Sequence, residues 1–233
     1  METLELLPEL HMLRFAMGHV YVWGDADGVT LVDSGVVGAA GEIARALGEL
    51  GYGTGDVRRL VLTHGHPDHA GSAAQVAGWG EVEVVAHRAE APVVRGEATA
   101  AAPDFAGAPQ WERDLYASLT MPPAAPPARV DREVEDGDVI GFGGGARVLA
   151  VPGHTGGSIA LHLPGPGVLF TGDAVAGVEG RPVLGVFNQD RALAMASLRR
   201  MAELPVDIAC FGHGEPVAGG AGAALRTAVA AAG

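Results

Sequence analysis

Four times along this 233-residue chain a short apolar run stops at a glycine-containing turn that carries histidine or aspartate. V-R-R-L-V-L-T, residues 57–63, runs into H-G-H-P-D-H. Val148–Val151 leads into P-G-H-T-G-G-S with His154, V-L-F-T into G-D-A with Asp173, and I-A-C-F into G-H-G-E-P with His213. Each run has the length and composition of a buried strand. Strand ends that share one rim are where sheet proteins build sites. The pattern therefore predicts an α/β chain whose chemistry gathers at strand ends.

The densest turn holds three imidazoles and one carboxylate within residues 64–69: His64, His66, Asp68 and His69. These ligand types suit zinc and its first-row neighbours. The following A-G-S-A-A-Q-V-A reads as a helix, which places the motif on a strand-to-helix loop. His64 and His66, two positions apart on a turn, converge on one point, while Asp68 and His69 aim at a neighbouring one. The spacing suggests two adjacent metals. A lone loop histidine is ordinarily solvated or hydrogen-bonded. Neutral imidazoles crowded between apolar segments instead cost desolvation that a bound ion offsets. One loop cannot fill two metal shells, so His154, Asp173 and His213 enter as further ligands.

The series H-x-H-x-D-H, G-H-T-x-G-S, T-G-D and G-H-G, in that order, resembles the metallo-β-lactamase-fold metallohydrolase superfamily, in its generic hydrolase or glyoxalase II-like branch. The resemblance runs from about residue 10 to the end of the chain. It implies an α/β fold of the αβ/βα four-layer sandwich type. It assigns His64, His66 and His154 to a first metal, Asp68, His69 and His213 to a second, and Asp173 to a bridge between them. Two Zn2+ are implied, with Fe or Mn as alternatives. Gly156 stands where the family often has proline, a change that loosens the turn without removing a ligand. The chemistry implied is attack of a metal-bridged hydroxide on a carbonyl carbon, since one zinc alone lowers the pKa of water from 15.7 to about 7. The second ion would polarise the carbonyl oxygen, and Asp68 would orient the nucleophile and pass a proton to the leaving group. Thr63, Thr155, Ser158 and Thr171 flank the ligands as outer hydrogen-bonding partners, or equally as turn hydroxyls that satisfy the backbone.

Composition narrows the setting. A net charge of −13 argues against nucleic acid as a partner. One cysteine excludes an internal disulfide, and no signal peptide or membrane span is visible. A small-molecule substrate, a cytoplasmic location and no membrane partner are expected, with monomer and homodimer both open. The length fits a single domain over 1–233. His11, His19, His87 and His162 lie in strand-like or capping positions, and Cys210 sits on an apolar strand as a small buried side chain.

Strands are expected near 11–17, 19–24, 29–33 and 82–86 and through 130–171. Helices are expected over Gly38–Leu50, near 87–95, and over Asp190–Leu204 with Asn188 or Asp190 as cap. Residues 96–129 are rich in alanine and proline yet carry Phe105, Trp111, Tyr116 and Met121. They read as an active-site cap, helical at Gln110–Leu119, with Trp111 and Tyr116 towards substrate. Residues 177–188 read as a loop forming another wall, where Arg181 would meet an anionic group.

The implied reaction is hydrolysis of a thioester, ester or lactone. Glutathione thioesterases of the family carry a basic helical extension, whereas one helix follows His213 here. Acyl-homoserine lactonases usually have tyrosine three residues after the bridging aspartate, where this chain has Ala176. Two rival readings are a mononuclear-iron persulfide dioxygenase-like oxidoreductase and a non-catalytic metal-binding protein.

Overall fold

The computed structural model describes residues 1–232, which fall into two compact units. Met1–Thr99 and Pro122–Val134 form the first, and Ala100–Met121 with the chain from Glu135 onward forms the second.

The first unit is built on a seven-stranded sheet whose strands follow one another in chain order. β1 (Glu2–Leu7), β2 (Leu10–Arg14), β3 (His19–Asp25) and β4 (Gly28–Val32) pair antiparallel. β5 (Val57–Val61), β6 (Glu83–His87) and β7 (Arg132–Val134) then add on in parallel. Parallel neighbours need crossovers, and helices supply them. α1 (Ala40–Glu49) buries Ile43, Ala46 and Leu47, a spacing that lays one apolar stripe on the sheet. Each fully buried Ile or Leu there contributes about 1.5–3 kcal/mol. α1 closes with Gly51 N donating to Gly48 O and Tyr52 N to Leu47 O, the paired bonds of a Schellman cap. α2 (Ala73–Ala77) and α3 (Ala91–Val94) are short. α3 occupies only part of the 87–95 expected, because His87 ends β6 and residues 88–90 form a turn ahead of Pro92, which suits a first helical turn.

The second unit carries α4 (Gln110–Ser118) and a sheet begun by β8 (Val139–Ile140), β9 (Ala146–Ala150), β10 (Ile159–Leu163) and β11 (Val168–Phe170). β12 (Val175–Val178) and β13 (Arg181–Leu184) form a separate hairpin. β14 (Ile208–Cys210) joins β11 in parallel, and β15 (Val217–Ala218) closes the order β15-β14-β11-β10-β9-β8. The hairpin falls where sequence reading placed a loop. Its two-residue turn, Glu179 at φ 51° and Gly180 at φ 73°, has both centres left-handed, the geometry that matches strand twist. A glutamate in that position gives no sequence signal for it. α5 (Arg191–Ala202) begins where Asp190 accepts from Leu193 N, so Asp190 is the cap, while Asn188 donates its side-chain amide to Gly185 O. α6 (Ala221–Ala232) follows, and it packs on α5. Among the described residues no helix is long and apolar enough to cross a membrane.

Candidate functional site

In the first unit the ligand-type residues follow β5. Thr63 lies two residues past the strand, and its N–H and hydroxyl donate to the two oxygens of Asp33 at 2.7 and 2.8 Å. Asp33 follows β4, is 3 % exposed, and adopts φ 63°. A non-glycine residue persists in that region when its surroundings hold it, and here three hydrogen bonds do so. The third comes from His69, whose Nδ1 lies 2.8 Å from Asp33 Oδ2. A carboxylate only accepts, so the His69 proton sits on Nδ1 and Nε2 carries the lone pair. The Thr63 hydroxyl gives its single proton to Asp33. It must therefore accept from His64 Nδ1, 3.1 Å away. His64 is thus fixed in the same tautomer.

His64 Nε2 lies 3.1 Å from His66 Nδ1, and His69 Nε2 lies 3.7 Å from Asp68 Oδ2. The turn is wound tightly: His69 N and Ala70 N both donate to His66 O, with Pro67 where a missing N–H costs nothing. Ser34 fastens it by donating both its N–H and its hydroxyl to His69 O. Glu90, 5 % exposed, accepts Gly65 N–H at 2.8 Å.

In the second unit His154 lies on the loop after β9. The loop is closed by Thr155 N donating to Ser158 Oγ at 3.1 Å and by a 2.8 Å bond between the two hydroxyls. His154 Nδ1 lies 3.0 Å from Val186 O, and a carbonyl only accepts, so the proton again sits on Nδ1. His154 Nε2 is 3.6 Å from Asp173 Oδ2, and His213 Nε2 is 3.3 Å from the same oxygen. Asp173 stands on a single 3-10 turn, Gly172–Ala174, after β11. Gly185 is needed beside it, because a Cβ there would lie 1.8 Å from Asp173 O.

All seven ligand-type residues named from the sequence are among those whose ring nitrogens and carboxylate oxygens could hold a metal ion; four belong to the first unit and three to the second. The donor set fits a zinc-type ion on two counts. Its atoms are imidazole N and carboxylate O. Three of its rings have Nδ1 engaged by an acceptor and Nε2 directed elsewhere, the arrangement that metal-ligating histidines adopt. Tyr116 packs edge-on against Phe105 and Phe187, each 5.1 Å away, which brings it to the segment carrying Val186. Trp111 is 57 % exposed, and the Arg181 guanidinium bonds Glu179 Oε2 at 3.2 Å on the hairpin tip.

Sequence reading missed Asp33, Glu90, Glu112 and the Val186 carbonyl. Asp33 alone left a trace, as the aspartate of V-D-S-G at the end of an apolar run. Outside the clusters, burial pushes the Cys210 thiol well up, which keeps it protonated and inert.

A model of the metallo-beta-lactamase superfamily matches residues 13–213. A probable metallo-hydrolase of Bacillus subtilis, YflN, is 30 % identical over 90 % of this chain and 85 % of its own length. A hydroxyacylglutathione hydrolase of Cereibacter sphaeroides is 32 % identical over 75 % of this chain and 54 % of its own, so the chain spans about half the length of that relative. Among solved structures, a metallo-beta-lactamase family protein of Thermus thermophilus, TTHA1429, aligns with a TM-score of 0.72 and 28 % identity, covering 98 % of this chain and 79 % of that one.

Proposed function

Because this chain belongs to the metallo-beta-lactamase superfamily, has its α/β fold and is a metal-dependent hydrolase, we propose that it holds two zinc ions and cleaves a thioester, ester or lactone of a small molecule. In this reading His64, His66 and His154 hold one ion. Asp68, His69 and His213 hold the other, and Asp173 serves both. The observation that supports it is how the rings are held: in each unit a buried histidine has Nδ1 against an acceptor oxygen, the arrangement in which Nε2 serves as the ligating nitrogen. Bound zinc supplies a Lewis acid and lowers the pKa of water from 15.7 to about 7.

The chain's own groups do the rest. Asp33 holds the His69 ring directly and the His64 ring through the Thr63 hydroxyl, so both rings are fixed in orientation with Nδ1 turned to its acceptor. Asp68 orients the attacking water and takes its proton for delivery to the leaving group. The segment 96–129 forms a cap in this reading. Tyr116 lies on its substrate side, with Trp111 and Arg181 as outer contacts for arriving substrate. The substrate is a small molecule met in the cytoplasm, without nucleic acid or membrane as partner.

Metal analysis of protein purified without chelators or a histidine tag, followed by a thioester, ester and lactone panel, tests the reading. About two zinc ions per chain and hydrolysis that vanishes in Asp68→Ala are expected. Iron at about one per chain would favour the persulfide dioxygenase alternative. No metal after reconstitution would leave a non-catalytic binding protein.

A further inference from the structure

The helix α4 is turned inside out. Its apolar residues Trp111 and Leu115 are 57 % and 40 % exposed, while the side chain it buries is that of Glu112, at 2 %. A carboxylate is not taken out of water without partners, and both oxygens of Glu112 have one. Oε1 accepts Phe187 N–H at 2.7 Å, and Oε2 accepts Arg191 Nη1 at 2.9 Å. Phe187 adopts φ 59°, which a bulky residue keeps only when it is held there.

The N–H that Glu112 grips and the carbonyl that His154 uses belong to one peptide group, Val186–Phe187. A trans peptide is planar, with its N–H and C=O pointing in opposite directions. Fixing the N–H therefore fixes the direction of the C=O. It also polarises the group, which makes the carbonyl a better acceptor for the His154 proton. Phe187 packs its ring on Tyr116, four residues along α4 from Glu112, so the helix holds the same residue by main chain and side chain.

We propose that Glu112 is a positioning residue for His154: acting through the Val186–Phe187 peptide, it keeps the imidazole proton on Nδ1 and aims Nε2. The effect on metal binding rests on the function proposed above, whereas the effect on the proton does not.

Two variants and two readouts test it. Glu112→Gln keeps an acceptor oxygen for Phe187 N–H, and Glu112→Ala removes it. The tautomer of His154 is read by 15N NMR of the imidazole in metal-free protein, and Zn2+ affinity by competition with a chromophoric chelator. In E112A the His154 signals should move away from the pure Nδ1–H form, and zinc affinity should fall by about tenfold, the lower end for such supporting partners. E112Q should restore the tautomer and most of the affinity. A folded E112A with wild-type tautomer and affinity would overturn the proposal, as would an E112Q as damaged as E112A. If E112A does not fold, Glu112→Asp decides, because its shorter side chain draws the carboxylate back from the peptide. An unchanged tautomer in E112D would also overturn it. A tautomer that shifts in E112A while wild-type protein binds no zinc would uphold the positioning role and refute the metal reading.

Discussion

In the first unit a buried carboxylate, Asp33, takes the His69 proton directly and reaches His64 through one hydroxyl. In the second, His154 gives its proton to a main-chain carbonyl whose direction is set by Glu112 on a helix 75 residues away from Phe187 in sequence. A carboxylate carries a full charge and makes the stronger, shorter bond, but it concentrates the support in one replaceable side chain. A carbonyl cannot be deleted by substitution, only moved. The first unit should therefore be brittle at one point, and the second should yield gradually.

Asp33→Ala should show the largest effect. It strands the Thr63 N–H, the Thr63 hydroxyl and the His69 ring proton, at about 1–3 kcal/mol each when buried. A loss of roughly 3–5 kcal/mol in urea unfolding is expected, with zinc affinity down about 10–100-fold by chelator competition. A loss below about 1 kcal/mol would remove the brittleness on which the contrast rests. Glu90→Ala comes next. Losing the charge-assisted bond to Gly65 N–H should cost about 1.5–3 kcal/mol in the same unfolding assay, while the His64 tautomer read by NMR stays unchanged. In the second unit, Ser158→Ala removes one hydroxyl from a loop with several other ties. About 0.5–1.5 kcal/mol by thermal melting is expected, with zinc affinity nearly intact. An affinity loss as large as that of Asp33→Ala would erase the difference between the units.

The smallest effect concerns acid. Burial, with Arg147 opposite on the neighbouring strand, holds the His162 pKa below its ordinary 6.5. As pH falls below that value the unfolded chain takes up the proton first. The stability is therefore full above the unfolded pKa and is lost as pH drops through the folded one. His162→Gln should flatten the decline in melting temperature between about pH 7 and pH 5. An equally steep decline would place the acid sensitivity elsewhere.

The histidines and aspartates could be picked out of the sequence because their chemistry is dense and regularly spaced. What braces them could not. Thr63 and His69 meet Asp33 across 30 and 36 residues of chain, and Arg191 meets Glu112 across 79. Nothing local marks such pairings. A backbone carbonyl such as that of Val186 has no residue type to betray it, and Glu112 sits in Q-W-E-R-D-L-Y, where any reader would turn it to solvent. In the fold, α1 and α5 were legible from apolar spacing and caps. The β12–β13 hairpin was not, because Glu179 takes a backbone angle that its side chain does not advertise.

The first unit is interrupted. Its seventh strand, β7, lies beyond a stretch of chain that packs with the second unit, so its sheet ends at β6 until Arg132–Val134 arrive. A nascent chain leaving the ribosome reaches residue 99 with six strands made and the edge of β6 bare, an open template for pairing with a neighbour. Translation must proceed some thirty residues further before that edge is covered. Synthesis at roughly 5–20 residues per second turns this gap into seconds of exposure. The order of the gene thus writes a vulnerable interval into the birth of the protein.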